Sequence, residues 1–123
     1  PTPSLNFSFA FASTDCGAGQ CGFWFEVKNT GGLPLESAWV HVESTSSWAV
    51  STPVKVEATE TFNHFWDAVN GSTMGKVDVG KKGFTRSGPI NNPSGYQVQA
   101  SLKICSQDGL SGSCKTQNLS FGP

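Results

Sequence analysis

Large apolar residues alternate with small or polar residues at the start of this chain. Leu5, Phe7, Phe9 and Phe11 occupy every second position, and Asn, Ser and Ala fill the positions between them. Successive side chains of an extended chain point to opposite faces, so this period of two predicts a β-strand with all four large residues on one face. Residues 1–12 are therefore predicted to contain the first strand.

The same alternation, or a short apolar run between turn signals, recurs along the rest of the sequence. Pro53 lies inside one such segment, and because proline cannot donate to a sheet ladder, it predicts an edge strand or a bulged strand there. The further strands are predicted at Phe23–Lys28, Leu35–Ser44, Trp48–Glu57, Thr59–Val69, Lys76–Val79, Phe84–Ile90, Tyr96–Ile104 and Lys115–Phe121. Seven to nine short strands without a helix indicate an all-β sandwich, and we expect residues 1–123 to form a single domain.

Composition and charge narrow the classes of function. The chain has 123 residues, of which 14% are charged, and its net charge is −1. A globule of this size hides roughly two-thirds of its unfolded surface, which is enough for one core. So small a net charge gives no field that would attract nucleic acid or an anionic membrane. The apolar runs are too short to cross a bilayer, so we expect neither nucleic-acid binding nor membrane insertion.

The four cysteines fall into two local pairs, Cys16 with Cys21 and Cys105 with Cys114. Four cysteines allow three connectivities, and the local one is favoured because each pair brackets turn-forming residues. A zinc site is the alternative, but neither spacing supplies a Cys-x2-Cys knuckle. Disulfides persist in oxidising compartments, so the cysteines predict a secreted or cell-surface protein.

Three Asn-x-Ser/Thr triplets agree with a secreted protein. They begin at Asn6, Asn70 and Asn118, and each is a candidate glycosylation site. Asn70 is followed by glycine and is expected in a turn. The chain starts Pro-Thr-Pro, which is typical of the end of a linker or of a processed N-terminus.

Three segments resemble immunoglobulin-like domains of an uncharacterised group of secreted bacterial surface proteins. Phe25–Leu35 is similar to their passage from the second to the third strand, Gly95–Ala100 to a late strand, and Cys105–Cys114 to their last hairpin. The resemblance implies an immunoglobulin-like β-sandwich but no activity. Val98 occupies the place of the second cysteine of an antibody-type disulfide between the sheets, so the core is expected to close with aromatic side chains instead.

No set of residues in the sequence has the spacing of a catalytic motif. His41 and His64 lie in strand-like segments, and no serine has the Gly-x-Ser-x-Gly environment of a hydrolase nucleophile. The acidic residues are scattered, and a single carboxylate at Asp108 is a thin ligand set for calcium. We therefore predict no catalytic residue, no metal site and no cofactor.

The tryptophans offer a binding surface instead. Trp24 and Trp39 alternate with residues assigned to the core, so they are predicted on outward faces. On a common face they would form a platform that stacks sugar rings, with Gln97 and Gln99 supplying hydrogen bonds. The alternatives are that the tryptophans pack against a partner chain or inside the domain.

The first strand suggests a different role. Leu5, Phe7, Phe9 and Phe11 would serve equally as an ordinary strand or as a donor strand that completes the sheet of a neighbouring subunit. Head-to-tail donation does not close on itself and produces a filament. The sequence thus predicts a non-catalytic extracellular structural protein that assembles with itself or with other surface proteins, through strand exchange or an aromatic face. A carbohydrate-binding module that recognises polysaccharide is the alternative.

Overall fold

The computed structural model describes residues 3–46, 54–91 and 97–122. This part of the chain contains ten β-strands and no helix, so it has no helix that could span a membrane. Three of the strands are only two residues long, which explains why the sequence predicted seven to nine. The strands are β1 (Phe7–Gly17), β2 (Gln20–Asn29), β3 (Ser37–Ser46), β4 (Val54–Phe62), β5 (Phe65–Trp66), β6 (Thr73–Met74), β7 (Lys82–Arg86), β8 (Ile90–Asn91), β9 (Val98–Gln107) and β10 (Ser111–Phe121).

The strands form two sheets packed face to face. The six-stranded sheet has the order β1-β2-β7-β5-β6, with β8 pairing separately with β2, and the four-stranded sheet has the order β10-β9-β3-β4. All the pairings between these strands are antiparallel. The predicted all-β sandwich is therefore confirmed.

The core lies between the inner faces of the sheets and is rich in aromatic side chains. Phe25 is completely buried, and Phe121 from the last strand packs edge-on against it, with ring centroids 5.6 Å apart. Phe121 also stacks on Phe11 of the first strand, at 4.4 Å and an interplanar angle of 13°. Aromatic rings bury a large apolar area and favour such geometries, so they join the N-terminal and C-terminal strands across the two sheets.

The first strand is longer than predicted and lies at the edge of the six-stranded sheet of its own chain. It pairs with β2 along its length, with a bulge between Phe11 and Ser13. Positive φ angles at Ala18 (54°) and Gly19 (80°) make the connection a two-residue hairpin turn of type I′. Phe7 is buried, and Phe9 and Phe11 are partly buried against the core, as are the side-chain atoms of Leu5, which precedes the strand.

The two local disulfides are confirmed. The Cys16–Cys21 bond closes the β1–β2 hairpin, and the Cys105–Cys114 bond closes the β9–β10 hairpin. Each bond joins residues directly opposite each other in the strand register. Each disulfide thus links the two strands of its hairpin close to the turn.

Three of the predicted strands were wrong. The predicted strand Phe84–Ile90 is divided, because β7 ends at Arg86 and β8 begins at Ile90. The predicted strand Thr59–Val69 is divided, because β4 ends at Phe62 in one sheet and β5 begins at Phe65 in the other. The predicted strand Lys76–Val79 is reduced to one isolated bridge between Leu35 and Val77. The division of Thr59–Val69 lies where the chain crosses from one sheet to the other, and local alternation does not detect such a crossing.

Candidate functional site

Trp24 does not lie on a surface platform with Trp39, so this prediction was wrong. Trp24 belongs to the six-stranded sheet, and Trp39 belongs to the four-stranded sheet. Trp24 is also only 3% exposed, because Trp66 packs edge-on against its ring at 5.3 Å and the Arg86 guanidinium lies 5.7 Å from its centroid. The alternation of β2 placed Trp24 opposite the core residues, but the chain after β4 covers that position.

A cleft of about 310 Å³ lies beside this aromatic cluster. Trp24, Phe62 and Arg86 contribute to its wall, and so do the exposed acids Asp15 and Glu60. The cleft therefore combines aromatic surface with charged groups of both signs. This cleft is separate from the sheet face that carries Trp39.

The outer face of the four-stranded sheet carries a regular array of polar side chains, which we call the polar face. Strand register places these side chains in rows across β10, β9, β3 and β4. The first row is Thr116, Lys103, Trp39 and Thr61; the second is Asn118, Ser101, His41 and Thr59; the third is Ser120, Gln99, Glu43 and Glu57. Trp39 and Gln99 therefore share one face.

Hydrogen bonds and ring stacking order the polar face. Ser101 Oγ donates to Asn118 Oδ1 at 2.6 Å. The rings of Trp39 and His41 lie parallel, with centroids 5.7 Å apart and an interplanar angle of 10°. His41 Nδ1 is 2.8 Å from Thr59 Oγ1, so the imidazole is fixed from its edge and from its face.

Charged groups of both signs meet next to His41. Lys55 Nζ lies 2.9 Å from Glu43 Oε2 and 3.7 Å from Glu57 Oε2. The hydrogen bond and the charge of Lys55 hold the pKa of Glu43 below its usual value, and the same contacts raise the pKa of Lys55. His41 Nε2 is 3.6 Å from Glu57 Oε1 and 3.9 Å from Glu43 Oε2.

Gln97 and Gln99 lie at the end of the polar face, beside these charges. They line a shallow depression of about 570 Å³ together with Glu43 and Lys55. Glu43 is four residues from Trp39 on the same strand face, a distance of about 13 Å at about 3.3 Å per residue. The polar face thus extends from an aromatic ring at one end to paired amides and charges at the other.

The candidate glycosylation sites differ in their surroundings. Asn70 is exposed and has a positive φ of 56°. Asn118 is exposed on the polar face, where its amide accepts the Ser101 hydrogen bond. Asn6 is partly buried and accepts a hydrogen bond from Lys115 Nζ at 2.5 Å.

The histidines lie in different environments. His64 packs against the rings of Phe62 and Trp66, with centroids 5.6 Å and 4.7 Å away. Within residues 3–46, 54–91 and 97–122, neither histidine forms a hydrogen bond with a serine.

His41, Glu43 and Glu57 are the three described residues whose ligand atoms all lie within 4.8 Å of one another, a spacing suited to a metal ion.

Sequence reasoning missed this last group. His41 and Glu43 alternate with valines, which would have shown that they share a face. Glu57 lies on another strand, and only the pairing of β3 with β4 places it opposite Glu43. Trp48 and Tyr96, which were predicted in strands, lie outside the described residues.

Comparison with known proteins identifies the fold but no family. No family model matches the sequence, and no curated protein matches it. The structure resembles an ApaA-like protein from Bordetella pertussis, with a TM-score of 0.55 and 11% identity over 98% of this chain and 94% of that chain. The likeness supports the predicted immunoglobulin-like β-sandwich.

Parts of two β-glucosidases are also similar. The enzyme from Kluyveromyces marxianus aligns with a TM-score of 0.42 and 16% identity, over 95% of this chain and 15% of its own. The enzyme from Thermotoga neapolitana aligns with a TM-score of 0.42 and 11% identity, over 97% of this chain and 17% of its own. The chain therefore spans about a sixth of the length of each enzyme.

Proposed function

We propose that this protein is a secreted or surface-displayed, non-catalytic module that binds polysaccharide through the polar face. The observation that carries the proposal is the polar face itself, where Trp39 lies on the same outer surface as Gln99 and an ordered set of hydroxyl, amide and charged groups. The two disulfides support an oxidising compartment. The sequence resemblance to secreted bacterial surface domains agrees with this location.

The chemistry of the polar face suits a sugar chain. A pyranose has an apolar C–H face, which an aromatic ring can cover, and a rim of hydroxyl groups that need donors and acceptors. Trp39 supplies the ring, and it is the one of the three described tryptophans that is not buried. Gln97 and Gln99 offer amides that can both donate and accept, and both are exposed.

The length and charge of the face also agree with an extended neutral ligand. The two glutamates at its amide end are balanced by Lys55 and Lys103, so the polar face has no strong single-sign field. A separation of about 13 Å between the ring and the amide end exceeds the size of one sugar ring. We therefore expect an oligosaccharide segment rather than a monosaccharide as the ligand.

The test is retention on a panel of insoluble and soluble polysaccharides, including peptidoglycan, in affinity electrophoresis and pull-down. The substitution Trp39→Ala should weaken binding about tenfold, corresponding to about 1.4 kcal/mol of stacking, and Gln99→Ala should weaken it less. Lys82→Ala, on the other sheet, is the matched control and should bind as the parent does. Retention on no polysaccharide, or equal retention of the Trp39→Ala variant, would overturn the proposal.

A second candidate function is a surface filament assembled by strand exchange, and the shape of β1 favours it over an aromatic interface. β1 is an edge strand whose phenylalanines point into the core, and its bulge after Phe11 separates this apolar half from the half that the Cys16–Cys21 disulfide holds. The apolar half could leave its groove without breaking the disulfide. Among the described residues, the exposed large apolar side chains are only Val54 and Val79. This apolar surface is too small for assembly through an aromatic face.

Electron microscopy of concentrated protein, with thermal unfolding at several protein concentrations, tests the filament. Strand exchange predicts filaments and a Tm that rises with protein concentration, because association stabilises the folded state. Deletion of residues 1–12 should remove both effects. A monomeric protein with a Tm independent of concentration would contradict this second candidate and leave the polysaccharide proposal intact.

A further inference from the structure

We propose that His41, Glu43 and Glu57 form a binding site for a divalent transition-metal ion on the polar face, with Zn²⁺ as the representative ion. This inference is independent of polysaccharide binding and rests on the geometry of β3 and β4. His41 and Glu43 are two residues apart and point to the same side of β3. Glu57 is directly opposite Glu43 on β4.

The separations between the donor atoms suit a metal ion. A tetrahedral ion with ligand bonds of about 2.1 Å holds neighbouring ligand atoms about 3.4 Å apart. His41 Nε2 lies 3.6 Å from Glu57 Oε1 and 3.9 Å from Glu43 Oε2, and all three donor groups fall within 4.8 Å of one another. The side chains of Glu43 and Glu57 are 35% and 54% exposed, so they are free to rotate toward a bound ion.

The imidazole is already oriented as a ligand. In the metal-bound form His41 Nδ1 donates its proton to Thr59 Oγ1, at 2.8 Å, which leaves the lone pair of Nε2 directed at the carboxylates. Metal-binding histidines usually donate their second ring nitrogen in this way, and the contact fixes the tautomer. Stacking on Trp39 restrains the plane of the same ring.

The donor set selects the class of ion. One imidazole with two carboxylates suits Zn²⁺ or Cu²⁺, whereas calcium and magnesium prefer all-oxygen sites and copper(I) prefers sulfur. Three protein ligands leave at least one coordination position for water. This open position faces solvent on the polar face, where another ligand could reach it.

Lys55 competes with the ion. Its ammonium group bridges Glu43 and Glu57 from 2.9 Å and 3.7 Å, so in the absence of a metal it supplies the positive charge at this place. The side chain is 63% exposed, so it can move into water when an ion binds. Removal of Lys55 should therefore strengthen metal binding.

The test is isothermal titration of the untagged full chain with ZnCl₂ in a buffer that does not bind metals. We expect one ion per chain, a loss of affinity of about 100-fold or more in His41→Gln, and a loss of about tenfold in Thr59→Val, which removes the group that orients the imidazole. Lys55→Met should bind about fivefold more tightly, because a cation no longer opposes the incoming ion. The controls are His64→Gln and Glu60→Gln, which change the other histidine and a neighbouring acid of β4 and should leave binding unchanged.

A second readout uses the ring next to the site. Cu²⁺ bound at His41 should quench the fluorescence of Trp39, and the quenching should disappear in Trp39→Phe while Zn²⁺ binding stays. Thermal unfolding of each variant establishes that it is folded. No Zn²⁺ binding by either the parent or Lys55→Met, or equal binding by His41→Gln, would overturn the inference, and neither result would bear on polysaccharide retention.

Discussion

The substitution Thr85→Val is expected to stabilise the protein. Thr85 is completely buried on β7, opposite Phe25, and its hydroxyl has no hydrogen-bond partner among the described residues. Burial of an unpaired hydroxyl costs about 1–3 kcal/mol. Valine has nearly the same shape, replaces the hydroxyl with a methyl group and favours a strand, so we expect a gain of about 1–2 kcal/mol in the free energy of unfolding.

This gain converts into a measurable thermal shift. An unfolding entropy of about 2.1 cal/mol/K per residue amounts to about 0.26 kcal/mol/K for 123 residues. The Tm of the Thr85→Val variant should therefore rise by about 4–8 °C in calorimetry or circular dichroism. Urea unfolding should show a higher midpoint with an unchanged slope, because the surface exposed on unfolding stays the same.

Ser37→Ala is the matched control, because it removes a buried hydroxyl that is fully paired. Ser37 Oγ donates to the Gln107 carbonyl at 2.6 Å and accepts from the Leu110 N–H at 3.1 Å. Its removal leaves both backbone groups without this partner and should cost about 1–3 kcal/mol. An unchanged or lower Tm in Thr85→Val would refute the reasoning, since it would mean that the hydroxyl is paired in the folded protein.

Two further predictions concern polar contacts. Asn29→Ala should lower the free energy of unfolding, measured in urea, by about 2–3 kcal/mol, because the buried amide donates to the carbonyls of Leu33 and Val77. Asn29→Asp keeps an acceptor but loses both donors, so it should not recover the stability of the parent. The Glu43–Lys55 pair should give a small stabilisation of the folded state. This stabilisation is fully present above the unfolded-state pKa of Glu43 and is lost as pH falls through the lowered folded-state pKa of Glu43. At alkaline pH it is lost as pH rises through the raised folded-state pKa of Lys55. Tm measured against pH should lose this contribution in Glu43→Gln and in 1 M salt, and an equal pH profile for parent and variant would contradict it.

The sequence was most informative where the stabilising contacts follow from a local pattern of residues. Phe7, Phe9 and Phe11 were placed on the core side of the first strand, and all three pack there. Their alternation is a local property, since every second side chain of a strand faces the same way whatever strand lies beside it. The cysteine pairs were equally accessible, because a turn between two nearby cysteines brings them opposite each other in one hairpin.

The sequence was least informative about what lies against each outward face. Trp24 and Trp39 show the same alternation with core residues, yet one is buried beneath Trp66 and the other lies on the surface of the opposite sheet. The difference arises because the chain after β4 crosses to the other sheet. A crossing depends on contacts between distant residues, and a period of two does not encode them.

The sequence by itself therefore determined that the chain forms strands and that these strands build an all-β sandwich, and it favoured the local pairing of the cysteines that the structure shows. Only the tertiary structure decided which side chains meet on a common surface. His41 and Glu57 approach to 3.6 Å because β4 pairs with β3 in one particular register, and a shift of that register by one residue would turn Glu57 to the other face. Alternation is set residue by residue along the chain, whereas register is set by pairing between strands, and both binding proposals depend on register.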